Sequence, residues 1–218
     1  MRIVAMTNDG QLPMMKSMLN SAEKAGWPMH LFHCYLVATN PESANYNTPG
    51  FQSLTLRKLE VILGNMRLDK EVLWIDNDIV LFKNTIDHMR TFPGQFVMQD
   101  DLWGPCTGFF LVRSNPTTIR TIEKTITYLK ERLNYTVLND QNAFIRVYKS
   151  SVGLIVSLLP TNEYPNGEIY FTKKVQSDAK MVHNNYLQST AEKVERFKEF
   201  GFWNESDSAF LKVNRYAI

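Results

Sequence analysis

Short apolar runs separated by polar turns set the pattern of the first half of the chain. Residues 2–7, 30–38 (HLFHCYLVA) and 72–75 read as strands, and the first and third are apolar at consecutive positions. Such runs predict strands buried on both faces. Between the first two, Leu12 to Ala25 has the period of a helix, with Met14, Met15, Met18, Leu19 and Ala22 on one side and Gly26 as a stop. Strand, helix and strand predict a βαβ unit with parallel pairing and a right-handed crossover. After a turn-rich loop at 39–50, a second helix is predicted from about Gln52 to Met66. Leu54, Leu59, Ile62, Leu63 and Met66 form its inner face, leaving Arg57, Lys58 and Glu60 nearer the polar side.

The second half mixes shorter elements. An apolar run at 79–82 precedes a short helix at 84–91, and strands follow at 95–99 and 106–112. Ser114-Asn115-Pro116 starts a helix reaching about Leu133, with Ile119, Ile122, Ile126, Leu129 and Leu133 in its stripe. Asn139-Asp140 caps a helix over 141–148, and Ser189-Thr190-Ala191-Glu192 opens another over 190–200 as a capping box. Strands are predicted at 153–159, 168–171 and 181–183, and the tail 201–218 carries no pattern that assigns an element. The alternation predicts a single α/β domain over 1–218, with a mostly parallel central sheet flanked by helices.

Composition narrows the class. The 218 residues are 44% apolar and 21% charged, with a net charge of +2. No Lys/Arg cluster marks a nucleic-acid binder. No run approaches the roughly 20 apolar residues of a membrane span, and no signal-peptide core follows Met1. The expectation is a soluble, cytoplasmic, non-secreted protein. Cys34 and Cys106 lack metal-like spacing and are expected as free, packed thiols. Glycine-rich nucleotide cradles, H-E-x-x-H and C-x-x-C are all absent.

One stretch resists a packing account. In Val72–Phe82 two apolar runs flank Asp76-Asn77-Asp78. Adjacent carboxylates repel and are costly to desolvate, and a divalent cation is the simplest compensation. A solvated turn is the plainer alternative, and the apolar flanks weigh against it. Carboxylate oxygens suit Mg²⁺ or Mn²⁺, and an imidazole tilts the choice to Mn²⁺. His183 follows a short apolar strand and is a candidate third ligand, although spacing alone favours a satisfied core or surface histidine.

Further blocks join this knot in order. They are Lys58, Cys106-Thr107-Gly108-Phe109-Phe110 with Arg113-Ser114, Asn139-Asp140-Gln141, and His183-Asn184-Asn185-Tyr186 followed by Lys193 and Gly201-Phe202-Trp203. Together they resemble the DXD-containing nucleotide-diphospho-sugar transferases of GT-A fold, the group that includes glycosyltransferase family 77 and enzymes of plant walls and large algal viruses. The resemblance implies a metal-dependent, retaining transfer from a nucleotide sugar, UDP-linked first, to a glycan or glycoprotein. It implies a nucleotide-binding part over about 1–100 and an acceptor and donor-sugar part over about 101–203. By the same resemblance Asp78 and His183 bind the metal, and Asp76 binds the metal or the ribose. Thr7, Asn8, Asp9, Lys58 and Asn77 serve the nucleotide, Lys193 the diphosphate, and Thr107 and Gly108 the floor. Asp100, Asp101, Asp140 and Gln141 are candidates for catalysis, sugar hydroxyls or the acceptor. Replacing Asp78 with Ala is expected to abolish metal-dependent donor binding with the fold intact. Gln188 departs from the group's pattern, which favours Gly there. The missing anchor before the first strand favours a viral or bacterial enzyme, or an excised domain. Two alternatives stay open: Asp76-Asn77-Asp78-Ile79-Val80 also fits a haloacid-dehalogenase-type phosphatase, and a nucleotide-sugar-binding module without turnover would keep the same acidic pair.

Overall fold

The computed structural model describes residues 1–38, 48–132 and 138–218. A seven-stranded sheet runs in the order β7-β5-β6-β3-β1-β2-β9. Its strands are β1 (Arg2–Asn8), β2 (Phe32–Val37), β3 (Glu71–Ile75), β5 (Phe96–Asp100), β6 (Pro105–Arg113), β7 (Val156–Leu159) and β9 (Asn214–Ala217). All pairings are parallel except those of β6. A second, two-stranded sheet pairs β4 (Ile79–Leu81) with β8 (Met181–His183).

Alternation along each strand explains the consecutive apolar runs. Ile3, Ala5, Leu73 and Ile75 face α1 (Leu12–Lys24) and α3 (Ile86–Thr91). Val4, Val72 and Trp74 pack with α2 (Pro49–Met66), α4 (Pro116–Lys130) and α5 (Asp140–Lys149). With both faces covered, neither set of side chains can be polar. A third cluster joins Val80 and Val182 of the small sheet to Phe197 of α6 (Thr190–Glu199), and to Tyr170 and Phe171.

The βαβ unit, the mostly parallel sheet and the predicted helices are present. Both cysteines are free and buried. Other expectations are corrected. Residues 168–171 lie in a π-helical turn, Glu168–Thr172, because their aromatic side chains fill the third cluster rather than a ladder. The tail adds β9 to the sheet edge beside β2. The α2 helix begins at Pro49, where Thr48 Oγ1 accepts from Phe51 N at 3.1 Å, and Lys58 is buried rather than on the polar side. Part of the 39–50 loop, and Leu133 of the α4 stripe, lie outside the described residues.

Candidate active site

The acidic tripeptide is the corner between the two sheets. β3 ends at Ile75 in the large sheet and β4 begins at Ile79 in the small one, so the chain turns through Asp76, Asn77 and Asp78. The corner is tied on both sides. Asp76 N donates to Gly108 O at 2.8 Å, Asn184 N donates to Asp78 O at 2.8 Å, and the Asn77 amide donates to Met6 O at 2.8 Å. Pairing of Ile79 with His183 sets the imidazole beside Asp78. The corner lies at the carboxyl ends of β1 and β3, where α/β sheets bind ligands.

Charge is compensated there with little solvent. Asp78 Oδ1 lies 3.2 Å from His183 Nε2, and Asp78 Oδ2 lies 2.6 Å from Lys193 Nζ. Burial alone would raise the Asp78 pKa, but Lys193 and His183 hold it far below the ordinary carboxylate range. His183 runs the opposite way: burial opposes its charged form, and Asp78 lifts it well above its usual value. Its Nδ1 lies 2.8 Å from Gln99 Oε1, with Cys106 Sγ 3.7 Å away. Asp76 Oδ1 takes the Trp74 indole N–H at 2.6 Å and lies 3.0 Å from Lys58 Nζ, which also meets Asp140 Oδ2 at 2.9 Å. Burial raises the Asp76 pKa, Lys58 opposes that, and the net direction is upward. Burial disfavours the Lys58 ammonium, yet Asp140 and Asp76 together carry its pKa above the ordinary lysine value. Gly108 is required by close approach. A Cβ there would fall 2.3 Å from His183 Cε1 and 2.9 Å from Asp76 Oδ2.

These groups floor a cavity of about 470 Å³. Thr7, Asn8, Lys58, Asp76, Asn77, Asp78, Asp101, Thr107, Gly108, Asp140, Gln141, His183 and Lys193 all line it. Asp9 and Asp100 do not. Asp9 is exposed in the short turn after β1. Asp100 Oδ1 accepts from Leu102 N at 2.9 Å, and the pleat of β5 turns its neighbour Gln99 toward His183 instead. Gln188, the departure noted in the sequence, also lines the cavity.

On its other wall a carboxylate is held by neutral amides. Asp101 Oδ2 accepts from Gln141 Nε2 at 2.9 Å, and Oδ1 accepts from Asn185 Nδ2 at 2.8 Å. Tyr186 OH donates to Asp101 O at 3.0 Å. Sequence reasoning did not single out Gln99 or Trp74 for the site. Gln99 in particular carried no signal, being one polar residue at the end of an apolar strand.

The donor set fits a hard divalent cation. One ligand atom each from Asp76, Asp78 and His183 lies within 4.8 Å of the others. The buried Asn77 Oδ1 also has no hydrogen-bond partner among the described residues. Asp78 is therefore not a free ligand waiting on the surface. Its removal would leave His183 and Lys193 without their shared counter-ion, so Asp78→Ala is expected to cost stability as well as metal binding.

A mostly parallel sheet flanked by helices, with this cavity at its carboxyl end, is a GT-A-type fold. Solved structures that share it include two glycosyltransferases. One is a glycosyltransferase involved in glycosylation of the major capsid of PBCV-1, with TM-score 0.64 and 16% identity, covering 91% of this chain and 100% of that one. The other is the galactosyltransferase LgtC with donor and acceptor sugar analogs, with TM-score 0.58 and 14% identity, covering 91% and 94%. The chain belongs to the nucleotide-diphospho-sugar transferase family, which it matches over residues 15–197. Its relatives include a UDP-galactose:fucoside alpha-3-galactosyltransferase of Dictyostelium discoideum, 27% identical over 79% of this chain and 31% of the relative. A UDP-D-xylose:L-fucose alpha-1,3-D-xylosyltransferase of Arabidopsis thaliana is 25% identical over 84% of this chain and 55% of the relative. The chain thus spans from about a third to little more than half of these curated relatives. No helix among the described residues is long and apolar enough to cross a membrane.

Proposed function

We propose that the cavity binds a nucleotide-diphosphate sugar with a divalent cation, Mn²⁺ before Mg²⁺, and transfers the sugar to a glycan or glycoprotein acceptor with retention. The observation that carries this reading is the convergence of Asp76, Asp78 and His183 on one corner of the cavity. Those residues would hold the cation, which supplies Lewis-acid charge to the departing diphosphate. Lys193 reaches the same corner from α6 and offers a mobile ammonium for the phosphates, because its side chain keeps some solvent exposure. Thr7, Asn8 and Lys58 stand on the nucleoside side, within the part up to about residue 100. Asp101, Asp140 and Gln141 supply the sugar and acceptor side. Asp101 is held by neutral amides and touches no cation among the described residues, so its carboxylate keeps full strength as a hydrogen-bond acceptor. UDP is the first choice of nucleotide, with galactose and xylose the first sugars. A fucoside is the first acceptor, following the relatives' names.

The test is a thermal-shift panel of nucleotide sugars with and without Mn²⁺, followed by release of nucleoside diphosphate. A bound donor raises the apparent stability by mass action. Asp78→Asn should lose the Mn²⁺-dependent shift, and an unchanged donor affinity in Mn²⁺ would sink the site assignment. Binding without any turnover would identify a non-catalytic module. Family membership sets aside the phosphatase alternative, and inorganic phosphate release from simple monoesters would bring it back.

A further inference from the structure

We propose that Trp103, presented by the turn between β5 and β6 two residues after Asp101, is the acceptor platform of the cavity. It would stack on the apolar face of an acceptor sugar. The inference rests on the transferase reading and names where the second substrate lies. Trp103 is 85% exposed, Leu102 before it is 43% exposed, and Tyr186, whose OH donates to Asp101 O, is 48% exposed. Single exposed hydrophobic residues need no explanation. Here, though, Leu102 and Trp103 directly follow Asp101, and Asp101 and Tyr186 both line the cavity, so the indole stands beside its rim rather than within it.

The turn is built rather than frayed. Asp101 N donates to Gly104 O at 2.9 Å, and Leu102 N donates to Asp100 Oδ1 at 2.9 Å. Gln141 and Asn185 fix the Asp101 carboxylate, while Tyr186 OH fixes its carbonyl. Leu102 and Tyr186 both adopt left-handed backbone, at φ 67° and 63°, a conformation that costs a non-glycine residue energy and persists only where its surroundings impose it. Such anchoring spends stability to hold an indole in water at the mouth of a substrate cavity. Aromatic faces carry negative charge density, and the C–H groups of a pyranose face are weakly positive, so the two stack. A 6-deoxy sugar such as a fucoside adds a methyl group to that face. Asp101, immediately before the turn, is placed to accept a hydroxyl of the same sugar.

The experiment uses UDP-galactose and UDP-xylose as donors, with methyl α-L-fucoside, methyl β-D-galactoside and methyl β-D-xyloside as acceptors. Trp103→Ala should raise the acceptor KM about tenfold, and Trp103→Phe should restore most of it. UDP affinity in Mn²⁺ should stay within about twofold in both variants, which separates the platform from the donor site. Independently of turnover, the glycoside should shield tryptophan from acrylamide quenching in the wild type, and the shielding should vanish in Trp103→Phe. An unchanged acceptor KM in Trp103→Ala overturns the platform, as does shielding by none of the glycosides. Concentration-dependent dimerisation lost in Trp103→Ala also overturns it, by assigning the indole to self-association. If no nucleotide sugar binds the wild type, the donor reading fails on its own, and the quenching result still decides the platform.

Discussion

The two ends of the cavity hold their carboxylates in opposite ways. At the corner, Asp76 and Asp78 are neutralised by Lys58, Lys193 and His183; Asp78 is nearly cut off from water, and Asp76 is half-buried. At the mouth, Asp101 is held by the amides of Gln141 and Asn185, next to exposed aromatic rings. The corner is therefore a set of exchangeable charges. Anything cationic that enters must displace an ammonium or a proton, and anything anionic that follows finds that ammonium released. The mouth is a fixed scaffold that offers a carboxylate without exchanging anything. Binding at the corner should thus be strongly coupled between ligands, and binding at the mouth should be nearly independent of them.

The largest effect should come from breaking the corner outright. Asp78→Ala leaves His183 and Lys193 without their shared counter-ion in a buried setting, a loss on the order of 3 kcal/mol, or roughly 10 °C in Tm. Mn²⁺ binding should fall below detection in titration calorimetry. A variant as stable as wild type would mean that the corner is more hydrated than its geometry indicates.

Lys193→Gln sharpens the comparison through opposite signs. Lys193 Nζ competes for Asp78 Oδ2 at 2.6 Å, so its removal should tighten Mn²⁺ binding to the protein alone several-fold. The same change should weaken UDP binding in saturating Mn²⁺ about tenfold, because a charge-assisted contact to phosphate is lost. Calorimetry of each ligand in turn checks both. Weakening of both ligands together would show that Lys193 orders the corner rather than competing within it.

The contrast between the two ends also explains what could be read from the chain. The corner was legible because two buried strands interrupted by Asp-Asn-Asp violate packing, and only the resemblance turned His183 into a partner. Gln99 and Trp74, which orient His183 and Asp76, were not legible, because each looks like an ordinary strand residue. The acidic pair Asp100-Asp101 could not be resolved, since pleating sends neighbours to opposite sides and the register is set by the β5–β6 bulge. Lys58 looked solvent-facing because helical period alone cannot see the carboxylates of Asp76, at the end of β3, and Asp140, at the start of the neighbouring α5, that meet it. β9 was missed because all its side chains are exposed, so the strand has no apolar alternation; pairing with β2 and the stacking of Tyr216 on Tyr35 and His33 hold it.

A smaller effect is expected at the mouth. Gln141→Ala removes the donor to Asp101 Oδ2 but leaves Asn185 on Oδ1. Stability should fall by about 1 kcal/mol, and transfer to the acceptor should slow several-fold. Mn²⁺ affinity should stay unchanged. Loss of Mn²⁺ affinity in this variant would erase the independence of the two ends.

The smallest effect lies outside both ends and serves as their reference in alkali. Burial pushes the Cys34 thiol from 9.0 up to about 12, with Arg215 opposing only in part. The folded state therefore keeps a proton that the unfolded chain loses first. Stability owed to that proton is whole below pH 9 and disappears as pH rises toward 12. Between pH 9 and 10 wild type should lose up to about 1 kcal/mol from this thiol, and Cys34→Ala should not, so the gap between them in urea midpoint should narrow. Lys58, held above its usual value by Asp140 and Asp76 despite its burial, stays charged across that window. The corner should then keep its charge pattern while the core weakens, and a gap constant with pH would show that Cys34 ionises as it does in water.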